Sequence, residues 1–241
     1  MQGWFRAIWR FFYFAIATTF HILGFLVAIS FGKAKSIAGP QLRMRWLSHV
    51  PERLGMNMKV EGHPYQGSCL YVANHIGYID PFVILVHVKA SVVAKAEILS
   101  WPLVGLGGYM AGTIFVKREE KSSRQETAEA IRMALQQGIS ILIFPEGTTT
   151  SGDELLSFRP RAFEAAFQAG VPVQPVSISY ESPLVAYIGD HTFLPHFFRL
   201  FRLKYIRGRV SFGPLLRGED TCNRSRDWIQ QTQSNYIRQT Y

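Results

Sequence analysis

Cys69-Leu70-Tyr71-Val72-Ala73-Asn74-His75-Ile76-Gly77-Tyr78-Ile79-Asp80-Pro81-Phe82-Val83-Ile84-Leu85 decides how this chain folds. Residues 69–73 form a short apolar run bounded by polar residues, which reads as a buried strand. Asn74 to Gly77 supply turn chemistry. Asp80-Pro81 then opens a helix predicted over 82–88, with Asp at the N-cap and Pro at the first helical position. A strand that passes through a short turn into a helix is the building unit of an α/β sheet.

The same alternation continues outward. Strands are predicted at 91–94, 113–116, 139–144 and 173–180. Helices are predicted at 98–110, 125–137 and 161–169. Together they predict an α/β fold: a layered helix–sheet–helix domain with a largely parallel central sheet. Sites in such folds gather outside the carboxyl ends of the strands. His75 lies there, after the strand at 69–73. So does Glu146, in Phe144-Pro145-Glu146-Gly147-Thr148, after the strand at 139–144.

Before this pattern, residues 11–31 contain no Asp, Glu, Lys or Arg. A bilayer-spanning helix needs about 20 apolar residues. Arg6 and Arg10 precede the run and Lys33 and Lys35 follow it, so the positive-inside rule does not orient it. A signal peptide is a rival reading, but its apolar core is typically only about 7–15 residues long. A third reading is an interfacial hairpin broken near Gly24, with Trp4, Phe5 and Trp9 in the headgroup zone. Gly39-Pro40 marks a boundary. The expectation is a membrane-associated helix or helical hairpin over 1–38, followed by a catalytic domain over 39–241. Residues 41–58 read as a basic amphipathic helical connector.

Lys and Arg outnumber Asp and Glu by 26 to 17, a net charge of +9. Such a balance suits an anionic membrane, a phosphorylated substrate or nucleic acid. The chain has no Gly-x-x-x-x-Gly-Lys-Ser/Thr loop for a nucleotide and no Gly-x-Ser-x-Gly elbow for a serine hydrolase. Cys69 and Cys222 form no metal-binding or redox pair. No histidines fall in His-Glu-x-x-His spacing, and those other than His75 read as surface or satisfied core residues. Pro195 to Tyr205 interleaves aromatics with cations and is a candidate membrane-surface helix; a core helix with exposed arginines is the plainer reading. No RNA-recognition motif accompanies it.

Four blocks, in order, carry a family resemblance: Asn74 to Asp80, Gly112-Thr113-Ile114-Phe115-Val116-Lys117-Arg118, Phe144 to Thr148, and Val171-Pro172-Val173-Gln174-Pro175-Val176. The first fits Asn-His-x4-Asp and the third Phe-Pro-Glu-Gly-Thr. The chain resembles the 1-acylglycerol-3-phosphate acyltransferases among the glycerolipid acyltransferases. That resemblance implies transfer of a fatty acyl group from acyl-CoA or acyl-carrier protein to the sn-2 hydroxyl of lysophosphatidic acid, giving phosphatidic acid. Another lysolipid acceptor, such as lyso-ornithine lipid, is the alternative, and an inactive membrane-anchored lipid-binding protein is a further one. His75 would be the general base, worth typically ~10²–10⁴-fold, and Asp80 would orient its ring. The donor is a cosubstrate, with no metal or bound cofactor implied. The implied partners are the lysophospholipid, the acyl donor and membrane lipids, not nucleic acid. The implied location is the inner membrane, with the domain on its cytoplasmic side.

The expected substrate-binding residues are Asn74, Arg118, Glu146, Gly147, Thr148, Arg159 and Arg161. Asn74 would position its loop. Gly147 would let backbone approach a phosphate, and Glu146 would accept from a substrate hydroxyl or order an arginine. Many relatives carry Arg after Glu-Gly-Thr, where this chain has Thr149. That departure shifts phosphate recognition to Arg118, with Arg159 and Arg161 behind it, because a guanidinium matches phosphate geometry.

Overall fold

A computed structural model describes residues 1–101, 103–116 and 121–240. The chain runs α1 (Gln2–Ser30), α2 (Lys35–Leu47), α3 (Val50–Arg53), β1 (Met56–Glu61), β2 (Leu70–Ala73), α4 (Asp80–Leu85), β3 (Ala90–Lys95), α5 (Val104–Met110) and β4 (Ile114–Val116). It continues with α6 (Lys121–Gln136), β5 (Ser140–Ile143), α7 (Arg161–Gln168), β6 (Val173–Tyr180), α8 (Phe193–Leu200), β7 (Ile206–Phe212) and α9 (Thr221–Thr240). Short 3₁₀ turns precede α5 and follow β6.

Among the described residues the strands form one seven-stranded sheet in the order β1-β7-β6-β2-β5-β3-β4. All pairings are parallel except β6 with β7. The largely parallel α/β sheet expected from the alternation is therefore present, with a reversed pair, β1 and β7, at one edge. The central strands β2 and β5 are buried along their whole length. Strands covered on both faces read as continuous apolar runs, which is why both are legible in the sequence.

Two cores flank the sheet. One packs α1, α3, α4 and α8 over β2, β6 and β7, with Phe197, Phe201 and Ile84 almost fully enclosed. The other joins α6, α7 and α9 across Leu70, Ile141 and Val173.

Helix α1 is docked along its length. Ala7, Arg10, Phe14, Thr18, Ile22 and Phe25 are buried, a three-to-four spacing that makes one continuous stripe. The stripe meets α2, α5 and α8. The opposite face leaves Phe5, Phe12, Ile16 and Phe20 exposed. Burial of Arg10 is offset by three carbonyls at the end of α8: its guanidinium donates to Phe201 O at 3.2 Å, Leu203 O at 2.7 Å and Lys204 O at 2.9 Å. Burial lowers the Arg10 pKa to about 10, with Arg6 adding to the shift, so Arg10 stays charged at neutral pH.

Several expectations need correction. The helix does not break near Gly24; the hairpin turns at residues 31–34, between α1 and α2. Gly39-Pro40 is no boundary, because both residues lie within α2. The connector predicted over 41–58 is helical only to Arg53 and then becomes strand β1. Helix α8 is a core helix: His196, Phe197 and Leu200 face inward and Arg199 is exposed. Phe197 and Phe198 meet Phe11 of α1 edge-on and tilted.

Candidate active site

The site is built where β2 and β5 end. Beyond Ala73, which pairs with Val176, the Asn74 side chain continues the contact between β2 and β6. Its Nδ2 donates to Ile178 O at 2.9 Å and its Oδ1 accepts from Ile178 N at 2.8 Å. Asn74 is 1% exposed. Both ends of its amide bond the β6 backbone, so Asn74 positions the loop.

His75 follows, with its ring stacked on Phe144 at 4.1 Å between centroids. Its Nδ1 lies 2.8 Å from Asp80 Oδ2. The same oxygen accepts from the amides of Ile76 at 2.6 Å and Gly77 at 2.9 Å. Asp80 Oδ1 accepts from the Tyr180 hydroxyl at 2.7 Å. A carboxylate oxygen that already accepts two amide protons is an acceptor toward the ring as well. Nδ1 therefore carries the proton, and Nε2 is left with its lone pair. The His75 side chain is 21% exposed and that of Asp80 is 0%: the imidazole is reachable and the carboxylate that holds it is not.

Asp80 differs from the N-cap expected of it. Ile79 holds the cap position of α4, and the Asp80 carboxylate reaches back to the preceding loop rather than forward into the helix. The loop can pass close to its neighbours because residue 77 is glycine. A Cβ there would fall 2.5 Å from the Val185 carbonyl oxygen.

Glu146 is bonded to the backbone as well. Its Oε1 accepts from the His75 amide at 2.8 Å and its Oε2 from the Leu156 amide at 3.1 Å. At 5% exposure, with an amide on each oxygen, it holds the His75 backbone. Burial raises its pKa above the usual carboxylate range, only partly offset by the two amides and the His75 charge.

Gly147 sits at φ +80°, and a Cβ there would meet the Arg159 guanidinium at 2.6 Å. The exposed Arg159 side chain thus lies against the Glu-Gly-Thr turn. Arg161 is exposed on the first turn of α7. Arg118 lies outside the described residues. Thr148 is exposed and lines the cavity described below. Thr149 donates its hydroxyl proton to the Tyr187 carbonyl, and the Tyr187 amide donates to Ile76 O at 2.9 Å. The two bonds stitch three loops together. Nothing in the sequence points to Thr149 as a latch, because its acceptor is a backbone group of a distant loop. Tyr180 is likewise unmarked: a phenol at the end of a strand is a weak signal by itself.

A cavity of about 410 Å³, lined mainly by apolar groups, opens onto His75, Phe144 and Thr148. Its far walls include Phe14 and Ile22 of α1 and Leu42 of α2. Among the described residues no group of His, Cys, Asp and Glu could hold a metal ion. Burial pushes the Cys69 thiol up to about 12, which leaves it protonated and unreactive.

Comparison with known proteins places the chain in a family. The family model described as Acyltransferase matches residues 49–179. A lyso-ornithine lipid O-acyltransferase of Pseudomonas aeruginosa is 38% identical over 165 residues, covering 65% of this chain and 62% of that protein. One from Rhizobium meliloti is 30% identical over 204 residues, covering 75% of this chain and 70% of that protein. A 1-acyl-sn-glycerol-3-phosphate acyltransferase of Neisseria meningitidis is 31% identical over 167 residues, covering 66% of this chain and 64% of that protein. The chain thus spans a little under two thirds of the length of two of these relatives. The crystal structure of the 1-acyl-sn-glycerophosphate acyltransferase PlsC from Thermotoga maritima shares the fold, with a TM-score of 0.70 at 21% identity, covering 99% of this chain and 97% of that one. Motif order, family match and fold agree: the chain belongs to the acyltransferase family that includes the 1-acyl-sn-glycerol-3-phosphate acyltransferases.

Proposed function

We propose that this chain transfers a fatty acyl group from a thioester donor to the free hydroxyl of a membrane lysolipid. The observation that carries the reading is the His75–Asp80 pair, with Nδ1 held by a buried carboxylate and the ring on the wall of an apolar cavity. Nε2 takes the hydroxyl proton as the lysolipid oxygen attacks the thioester carbonyl. The tetrahedral adduct then collapses, the C–S bond breaks, and the departing thiolate takes the proton back from the imidazolium. The products are an ester and a free thiol, acyl-CoA or acyl-carrier protein being the donor. The cavity beneath α1 suits the hydrocarbon chain, whose burial stabilises the complex by about 0.8 kcal/mol per methylene.

Two acceptors have support. Lyso-ornithine lipid is the first reading, since Thr149 replaces a cation at the turn and is committed to the Tyr187 carbonyl; several relatives bear that name. Lysophosphatidic acid is the second, favoured by the guanidinium of Arg159 against Gly147.

The experiment is an acyl-transfer assay of the purified protein with both lysolipids and both donor types, beside His75→Ala. Activity that requires His75 is expected, with one lysolipid preferred. A His75→Ala variant that turns over normally would overturn the mechanism.

The exposed apolar face of α1 supports membrane association with the helix lying along the surface. A helix docked along its length to the domain is poorly placed to span a bilayer.

A further inference from the structure

We propose that Tyr180 is a positioning residue of the catalytic pair: it fixes the plane of the Asp80 carboxylate, so that Asp80 holds His75 in its reactive tautomer. This rests on the reading of His75 as the general base.

The donors around Asp80 are unevenly divided. His75 Nδ1 and the amides of Ile76 and Gly77 all bond Oδ2. Oδ1 receives the Tyr180 hydroxyl, at 2.7 Å. Asp80 is 0% exposed, so bulk solvent does not replace a lost donor on Oδ1. A carboxylate held through one oxygen can swing about Cβ–Cγ. Held through both, its plane is set, and so is the direction in which Oδ2 meets the imidazole. A buried acceptor left bare also carries the full desolvation penalty.

The fold places the phenol where this is possible. The β2–β6 register pairs Ala73 with Val176, and Asn74 extends it by clasping Ile178. Tyr180 is two residues further along β6 and therefore on the same face as Ile178. Opposite Tyr180 in β7 stands Gly208, whose added Cβ would meet Tyr180 Cα at 3.1 Å and Ser179 O at 2.2 Å. Tyr180 stays neutral, since burial and then the Asp80 charge push its ionisation far up. It is an O–H donor across the working range.

Tyr180 and Asp80 are not among the residues that line the cavity, whereas His75 is. A role exerted through Asp80 should therefore appear in turnover and not in binding. Among the described residues, Glu146 holds the His75 amide, and the cavity that His75 faces is also lined by Tyr78, Tyr187, His21, Arg43, Lys95 and Glu97.

The test is Tyr180→Phe, which removes Oη and keeps the ring. The turnover number is expected to fall about tenfold, the scale of one charge-assisted hydrogen bond. KM for both substrates should stay within about twofold, as for an interaction that does not bind substrate. The acid limb of the kcat/KM profile should move to higher pH. Charge that Tyr180 drew toward Oδ1 returns to the oxygen facing the ring and favours the protonated pair. A tyrosine that merely supports the fold would lower the melting temperature and leave the limb in place.

Because Tyr180→Phe can also weaken folding, 3-fluorotyrosine at position 180 is the second variant. It keeps the shape and donates more strongly, and should move the limb to lower pH. In an Asp80→Asn background Tyr180→Phe should cost little more, since the charge it holds is gone. Wild type and His75→Ala run alongside. An inactive wild type would count against the acyltransfer reading itself. An active wild type with an inactive His75→Ala, and both Tyr180 variants at wild-type turnover and acid limb, would overturn the role of Tyr180 alone.

Discussion

The Glu146 carboxylate accepts a hydrogen bond from the backbone amide of His75 at 2.8 Å, so the third motif of the chain holds the first in place. The second Glu146 oxygen holds the Leu156 amide, and the Thr150 amide donates to His75 O at 2.9 Å. The main chain of His75 is thus fixed from the turn that follows β5, independently of the side-chain bond to Asp80. Two widely separated motifs act as one bonded unit.

Glu146→Gln should therefore impair turnover more than substrate binding. A glutamine offers one acceptor and one donor where two amides need acceptors, leaving one buried N–H opposed by another donor. An unmet group of this kind costs roughly 1–3 kcal/mol. The melting temperature should fall and kcat should drop, with KM for both substrates nearly unchanged. A large change in acceptor KM with normal kcat would make Glu146 a substrate ligand instead.

The raised pKa of Glu146 also predicts a pH dependence. A carboxyl whose folded-state pKa lies above its unfolded value binds protons more tightly in the folded protein. Its stabilising contribution is fully present below the unfolded value and is lost as pH rises through the folded one. The amide that replaces it in Glu146→Gln does not titrate. The stability of the wild type relative to that variant should therefore increase as pH falls from neutral through that window, then level off. Thermal melts of both proteins across the acid range would show it; a constant difference would contradict it.

Asp80→Asn should keep the fold and lose the chemistry. An Asn can offer its oxygen to the amides of Ile76 and Gly77 or to the ring, but carries no charge to stabilise the imidazolium. Turnover should fall by about 10²–10⁴, the typical worth of positioned acid–base catalysis, with circular dichroism unchanged. A fully active Asp80→Asn would reduce Asp80 to a loop fastener.

The strands at the centre of the sheet were legible because both of their faces are buried, which gives short apolar runs such as Leu70 to Ala73. The edge was not. Met56–Glu61 alternates apolar with polar and charged residues, and its partner β7 lies some 150 positions on, Met56 pairing with Ile206. Nothing local marks such a pairing. In the site, His75 and Asp80 were legible from residue type and spacing. The partner of Asn74 and the backbone contacts of Glu146 were not, because they depend on which backbone groups lie opposite them. Asn74 bonds a residue 104 positions away and Glu146 one 71 positions away. The buried Arg10 in a largely apolar helix was visible as a charge, but its partners are carbonyls of a distant segment.

That arginine can be tested directly. Arg10→Met keeps the length of the side chain and removes the donors to Phe201, Leu203 and Lys204. Removal of a buried hydrogen-bonded cation leaves its acceptors unpaired, at about 1–3 kcal/mol for each group that water cannot reach. Helix α1 should loosen from α8. Amide exchange in α1 should rise, and so should exchange around Phe197 and Phe201, ahead of the central strands. Because Phe14 and Ile22 of α1 wall the cavity, KM for the long-chain donor should rise as well. Unaltered exchange in α1 would show that the apolar stripe alone seats the helix.

The two faces of α1 can be separated experimentally. Deleting residues 1–38 would test membrane association poorly, since Ala7 and Phe14 belong to the main core and their loss would destabilise the domain. Phe12, Ile16 and Phe20 are 58%, 69% and 73% exposed and recur every fourth residue on the outward face, so each can be changed without touching the buried stripe. Burying one such side chain in an apolar phase is worth roughly 1.5–3 kcal/mol. The triple variant Phe12→Ser, Ile16→Ser, Phe20→Ser should bind vesicles at least about a hundredfold more weakly, while its melting temperature in detergent stays close to that of the wild type. The measurement is flotation with phosphatidylglycerol–phosphatidylethanolamine vesicles at low and high salt. High salt weakens whatever the basic residues around α1 add, such as Arg202, which lies over the Trp4 ring at 4.5 Å, and leaves the apolar term. A triple variant that floats as well as wild type in high salt would remove the outward face of α1 as the membrane-binding surface.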